Sequence, residues 1–308
     1  MKSIQSAGGR VDVFGAILSN DISLLFRPLD KLLGLFIRKP LPGVLITTKR
    51  ELSVQRFTGA HELGHFALGH LESYDDEAII ARSPISGPAY NLDEVAADAF
   101  ATGFLMPDWL FKIHAARQGW NKQSMSDPLS VYQMSLRVGA SYSATCYVLE
   151  QYKIISSNAR AKLLEYQPKA IKQQFLSGLS LNDWHGDVWA LTDRDQGSVI
   201  EGGPNDAFVL RLKEKSTAGY LWNIEQLKDA GFAIVRDERA QPESTAVGGW
   251  VDRTLTAQPH DAESGSVSLS HERPWQPKSP IGELSFEYEL YGKEKGLPRI
   301  ERRKLAAA

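Results

Sequence analysis

The chain has 308 residues, 43% of them hydrophobic and 23% charged, and a formal net charge of -2 at pH 7. That composition excludes a disordered chain, leaves room for two globular cores, and gives no global attraction to nucleic acid or to an anionic membrane. The single Cys146 excludes an intrachain disulfide and a thiolate metal cluster, so any metal site must use histidine and carboxylate, and a reducing compartment fits.

In the opening segment MKSIQSAGGRVDVFGAIL, Gly8, Gly9, Arg10 and Asp12 interrupt any secretory apolar core. No apolar run approaches the roughly 18 residues that a bilayer span needs. A cytoplasmic protein without membrane association is expected. The β-rich run GVLITT, residues 43–48, stands alone ahead of a helix and reads as an edge strand that would hold an extended peptide by backbone pairing. Elsewhere up to about residue 175 the apolar spacing is helical, as in EVAADAFATGFLM and DPLSVYQMSLRVG.

The next segment, RFTGAHELGHFALGH, covers residues 56–70. Residues four apart share a helix face, so His61 and His65 offer two imidazoles to one cation, with Glu62 alongside. Catalytic zinc usually takes three protein ligands and leaves one position for water. His70, five past His65, leaves the shared face if the helix continues, and reads as a residue behind the ligands or at the helix end. A better third ligand is Glu94 in NLDEVAADAFATGFLMP. There Asn91 suits an N-cap, Val95, Phe100 and Leu105 are apolar positions, Pro107 follows the end, and Glu94 shares a face with Asp98. Asp98 would then accept the N–H of a ligand imidazole and fix its tautomer.

Together the segments VDVFGAILSNDISLLFRPLDKLLGLF, PGVLITTKRELSVQRFTGAHELGHFALGH and EVAADAFATGFLMP resemble the ImmA/IrrE family of bacterial metallopeptidases, over roughly residues 10–175. The resemblance implies an α-rich, zincin-like domain with a small sheet. It also implies one Zn2+ bound by His61, His65 and Glu94, with Glu62 as the catalytic base of a zinc metalloendopeptidase. The implied partner is a specific protein substrate, commonly in that family a DNA-binding repressor of phage, mobile-element or stress genes. Because the pattern begins near residue 10, that repressor is expected to be a separate chain. No residue is assigned to the oxyanion. Residues 128–155, ending SATCYVLEQYKII, read as a helix-turn-helix with Ser141 as N-cap. Its second helix offers mainly Tyr, Ser, Ala, Thr and Cys, so a packing or docking role is expected rather than direct nucleic-acid contact.

After SGLSLNDWHGD the period becomes two. Leu284, Phe286, Tyr288 and Leu290 alternate with polar residues, as do Val267, Leu269 and His271, and then Phe208, Leu210 and Leu212. The expectation is a multidomain α+β chain: a metallopeptidase domain over 1–180, an all-β antiparallel sandwich over 181–298, and a 299–308 tail ending in vector-derived residues. The loops STAGYLW (216–222), AVGGW (246–250) and ERPWQ (272–276) resemble, in order and spacing, the binding loops of chagasin-type inhibitors of papain-like cysteine peptidases, over about residues 183–292. That resemblance implies an immunoglobulin-like fold. It places Thr217, Gly219, Tyr220 and Trp222 in the first binding loop, Gly248 and Gly249 in the second, and Arg273, Pro274 and Trp275 in the third. Lys215, Ser216 and Ala218 depart from the family's first-loop pattern. The expected activity is zinc-dependent proteolysis, with the β domain recognising the substrate, a papain-like cysteine peptidase or an extended peptide. The alternative is a cysteine-peptidase inhibitor or sensor in which the metallopeptidase half is scaffold or autoregulator.

Overall fold

The computed structural model describes residues 9–71, 73–76, 91–180, 183–240, 249–276 and 279–307, so Gly248 lies outside the described residues. The chain gathers into two compact units, each assembled from separate stretches: 1–112 with 135–152 and 293–308, and 113–134 with 153–292.

The first unit opens with α1 (Val13–Ser19), whose N-terminus is capped by the Asp12 carboxylate accepting from the Gly15 N–H at 2.9 Å. Three strands, not one, precede the histidine segment: β1 (Ser23–Arg27), β2 (Leu32–Ile37) and β3 (Gly43–Thr47). With β4 (Ser73–Asp76) they form a sheet in the order β1-β3-β2-β4, β3 running parallel to β1 and antiparallel to β2. The GVLITT strand is therefore central. Both its edges are already paired, and it has no free backbone for a peptide. Its apolar character reflects cover: Val44 and Ile46 are buried, and Ile46 meets α2 (Leu52–Leu68) at Gly59 together with Phe14 and Ile17 of α1.

Helix α3 (Leu92–Leu105) starts at Asn91, whose side chain accepts from the Asp93 N–H at 3.1 Å. Its buried residues are Ala97, Ala101 and Leu105, whereas the apolar Val95 is exposed. Small side chains thus face α2. After α4 (Asp108–Gln118) come α5 (Pro128–Val138) and α6 (Tyr142–Gln151), joined by a turn through Gly139 with Ser141 accepting from the Ala144 N–H at 3.2 Å. Helix α6 sends Tyr142, Thr145, Cys146, Val148 and Leu149 into the core, as a packing role requires.

In the second unit, α7 (Ser157–Leu164) and α8 (Pro168–Leu176) accompany two four-stranded sheets. One has the order β5-β7-β10-β9: β5 (Val188–Leu191), β7 (Ala207–Glu214), β10 (Val251–Pro259) and β9 (Phe232–Arg239). The other has the order β6-β12-β11-β8: β6 (Ser198–Glu201), β12 (Gly282–Glu289), β11 (Ser264–Glu272) and β8 (Leu221–Asn223). A short helix, α9 (Glu225–Asp229), follows β8. The expected alternation holds in β11 and β12, where Val267, Leu269, His271, Leu284, Phe286 and Tyr288 are all buried. The two sheets meet where Phe232 and Tyr288 pack edge to face, with centroids 5.1 Å apart.

Two features differ from an all-β antiparallel sandwich. β5 and β6 run parallel to β7 and β12, so each sheet is mixed. Helices also cover one sheet: α8 lies against β5, and Ala207, Phe208, Val209 and Leu210 are buried in succession rather than alternately. Helix α5 closes the β5 edge with side chains. Gln133 Nε2 donates to the Val188 carbonyl at 2.7 Å, Gln133 Oε1 accepts from the Ala190 N–H at 2.9 Å, and the Tyr132 hydroxyl accepts from the Val188 N–H at 3.1 Å.

Residues after 292 return to the first unit. Phe26 and Gly296 exchange backbone hydrogen bonds of 2.7 and 3.0 Å at the β1 edge. The basic segment RIERR, residues 299–303, belongs to this return. It lies in α10 (Arg299–Ala307), and both Arg299 and Arg302 pair with the buried Glu294 carboxylate. Fully buried Gln55 of α2 donates to the carbonyls of Thr47 at 2.9 Å and Glu294 at 3.0 Å, and accepts from the Glu294 N–H at 2.8 Å. Among the described residues, no helix is long and apolar enough to cross a membrane.

The Gln55→Leu variant orphans three buried backbone groups at once. It should lose at least about 2 kcal/mol of unfolding free energy in urea titration. A change within about 0.5 kcal/mol, typical of surface substitutions, would show that water replaces the amide without cost.

Candidate metal centre and loop cluster

The metal centre begins with a close approach. A Cβ placed on Gly64 of α2 would stand 3.2 Å from Ala97 Cα and 3.3 Å from the Ala97 carbonyl oxygen on α3. Glycine lets the two backbones touch there, and Ala97 lies between Glu94 and Asp98 in sequence. Both carboxylates are thereby delivered to the histidine face of α2.

His61 and His65 are each 1% exposed, with their Nε2 atoms 2.9 Å apart. Glu94 Oε2 is 3.2 Å from His61 Nε2, and Glu94 Oε1 is 3.7 Å from His65 Nε2. The imidazole of His61, then that of His65, holds the Glu94 carboxyl well below the usual carboxylate range. Asp98 Oδ1 is 2.8 Å from His61 Nδ1. A carboxylate only accepts, so Nδ1 carries the proton and Nε2 presents its lone pair. One atom each of His61, His65 and Glu94 lie within 4.8 Å of one another. Two imidazole nitrogens and a carboxylate, aimed at one point from two helices, fit a divalent ion such as zinc.

Glu62 is fully buried, and its carboxylate lies against β2. A Cβ on Gly34 would come 2.5 Å from Glu62 Oε1, so the missing side chain at 34 is what accommodates the carboxylate. The sequence reading missed Gly34, and its only signal was a glycine interrupting a strand.

Helix α2 ends at Gly69, which has φ of 79°. The His70 N–H donates to the His65 carbonyl at 3.0 Å and the Gly69 N–H to the Phe66 carbonyl at 3.2 Å, the paired bonds of a Schellman turn. That turn folds His70 back instead of away, and its Nδ1 stands 2.9 Å from His65 Nδ1. Arg38, just past β2, donates to the carbonyls of His70 at 2.8 Å and Phe66 at 3.1 Å and so caps the helix.

In the second unit the loop residues assemble at the β8–β11 end. Thr217 donates to the Gly249 carbonyl at 3.1 Å, the Arg273 guanidinium lies 4.4 Å from the Tyr220 ring centre, and the Trp275 indole covers Gly219. Pro274 and Trp275 form the corner of a tight turn closed by the Gln276 N–H donating to the Arg273 carbonyl at 2.7 Å. Trp275 is 66% exposed. Trp222 is 6% exposed, stacked on His271 with centroids 4.9 Å apart, and supports the loops from below without offering surface of its own. Trp250, 53% exposed with the Lys215 ammonium 4.7 Å from its ring centre, takes the outer place.

Residues 20–150 match the family described as the IrrE N-terminal-like domain, Peptidase_M78, and residues 203–290 match the chagasin family of peptidase inhibitors, I42. The chain joins an IrrE-like domain to a chagasin-family domain. The IrrE-like domain is of a metallopeptidase type. Amoebiasin-2 of Entamoeba histolytica is 24% identical over 119 residues, 38% of this chain and 96% of that protein. Among solved structures, the cysteine protease inhibitor EhICP2 from Entamoeba histolytica is 23% identical, with a TM-score of 0.30, over 35% of this chain and 99% of that one. PbICP-C, solved in complex with falcipain-2, is 13% identical, with a TM-score of 0.24, over 34% of this chain and 98% of that one.

Inserting a β-branched side chain at the helix crossing tests the geometry. Gly64→Val should cost about 1–3 kcal/mol of stability through overpacking and weaken zinc binding in a competition titration. Unchanged zinc affinity would separate the metal centre from the crossing.

Proposed function

We propose that the chain is a zinc-dependent endopeptidase cutting one specific protein, with its β-rich region holding that protein or a partner. The observation that carries this reading is the convergence of His61, His65 and Glu94 inside a region that matches a peptidase family. Those three residues would hold the ion, which supplies Lewis acidity at the scissile carbonyl. Glu62, next to His61 and kept out of solvent, takes a proton from the attacking water and returns it to the leaving amine. Asp98 keeps His61 in the tautomer that leaves Nε2 bare.

The finer fold assignments belong to the same reading: a zincin-like fold in the first unit and an immunoglobulin-like sandwich in the second. The substrate class that the family resemblance favours is a DNA-binding repressor met in the cytoplasm. The one cysteine, Cys146, is buried with its thiol pushed up to about 11 by burial, so it does not compete as a nucleophile.

Glu62→Gln should keep zinc and lower the cleavage rate by about 10²–10⁴-fold. The proteomes of cells expressing each form should differ by one protein cut only by the unaltered chain. No such protein, with zinc confirmed bound, would sink the peptidase reading. Gly34→Ala, which crowds Glu62 from the β2 side, should reduce cleavage with zinc retained.

The exposed aromatic cluster favours a second reading, in which the chain inhibits or senses a papain-like cysteine peptidase and the metallopeptidase half is scaffold or autoregulator. Under it Trp275→Ala should weaken inhibition of papain, used as the probe, by about 30-fold, the effect of losing a central aromatic anchor. Glu62→Gln should leave inhibition intact. Loop substitutions are the cleaner test of the β-rich region, because truncation at residue 180 would also remove residues 293–307 from the first unit.

A further inference from the structure

Of the two histidines at the metal centre, only His61 has a carboxylate of the described residues directly on its Nδ1. His65 has an imidazole there instead: His70 Nδ1, at 2.9 Å. Behind His70, Asp93 Oδ1 of α3 lies 3.4 Å from His70 Nε2. The negative charge of Asp93 favours the proton on His70 Nε2, which leaves His70 Nδ1 as an acceptor. His65 must then donate from Nδ1, and its own Nε2 presents a lone pair towards His61 Nε2 and Glu94. The outcome at His65 is the same as the one Asp98 imposes on His61.

The backbone fixes this arrangement. In a Schellman turn the residue after the left-handed position returns over the third residue before the helix end, and here those two residues are His70 and His65. Arg38 holds the turn by donating to the His70 carbonyl. His70 is mostly buried, so its ring is held by packing as well as by its partners.

We propose that His70, backed by Asp93, is the positioning residue of His65. It fixes the tautomer and ring orientation of that ligand and is not itself a ligand. The inference rests on the reading of His61, His65 and Glu94 as a zinc site.

Zinc affinity of the full chain, measured by competition with a chromophoric chelator, tests it, together with the visible spectrum of the cobalt(II)-loaded chain. His70→Ala should bind zinc about 10–100-fold more weakly and shift the cobalt bands, with the folded circular dichroism retained. His70→Asn, whose amide oxygen takes the place of Nδ1 as acceptor, should recover most of the loss. His65→Ala should abolish binding. Unchanged affinity and spectrum in His70→Ala would overturn the proposal. So would loss as complete as in His65→Ala, with the fold intact, because His70 would then be a ligand. Failure of the unaltered chain to bind zinc would instead overturn the metal reading, and this inference with it.

Discussion

Where α2 meets α3, Gly64 and Ala97 bring two helix backbones into contact, and the metal centre depends on that approach. A helix carrying His61 and His65 presents at most two imidazoles on a face, which is too few for a catalytic zinc site. The carboxylates must come from another element, and their side chains are short. Glu94 reaches the Nε2 atoms at 3.2 and 3.7 Å where Gly64 carries no side chain to hold the helices apart. The same contact sets Asp98 against His61 and Asp93 against His70, so one packing detail organises the ligands and the groups behind them.

Strand β2 supports this centre from the other side. It is paired on both edges, to β3 and β4, and is therefore a fixed surface. Gly34 makes room for the Glu62 carboxylate, and four residues later Arg38 caps the α2 C-terminus while its guanidinium lies 5.5 Å from the Phe36 ring centre and 5.6 Å from that of Phe66. A cation at this helix end satisfies carbonyls that the helix itself leaves open. Base and ligand orientation are thus both tied to a rigid strand rather than to a loop.

In the second unit a buried ion network plays the corresponding part. Glu214, fully buried, accepts from the Trp222 N–H at 3.0 Å, from Arg253 at 3.0 Å and from Arg239 at 2.6 Å, while Arg253 also donates to the Trp222 carbonyl at 2.8 Å. Burial pushes the Glu214 carboxyl up, but these hydrogen bonds and the charges of Arg253 and Arg239 outweigh it and hold it below the ordinary range. Breaking such a pair strands a charge in the core, so the network pins both backbone groups of Trp222 and fixes the base of the first loop. The Trp250 ring lies 5.9 Å from that of His271, which stacks on Trp222, and Trp275 covers Gly219 in the loop above.

Periodicity by itself determined which residues share a face. The four-residue spacings put His61 with His65 and Glu94 with Asp98, and the alternation of two put Leu284, Phe286 and Tyr288 inside, because those faces follow from backbone geometry alone. Periodicity does not say what covers a face or where the period stops. GVLITT looked like an edge and is central, since strand order is decided by non-local pairing with β1 and β2. Val95 is one of the apolar positions of its helix and is exposed, since the helix contact selected the alanines. Trp222, placed in the first binding loop, is buried, and Trp250, given no role, is exposed, because an aromatic in a loop reads the same whether it points into the core or out of it. His70 was placed away from its neighbours by continuing a helix that ends one residue earlier, at Gly69. The sequence carried that glycine, but only the turn it makes in three dimensions sets the third histidine behind the second.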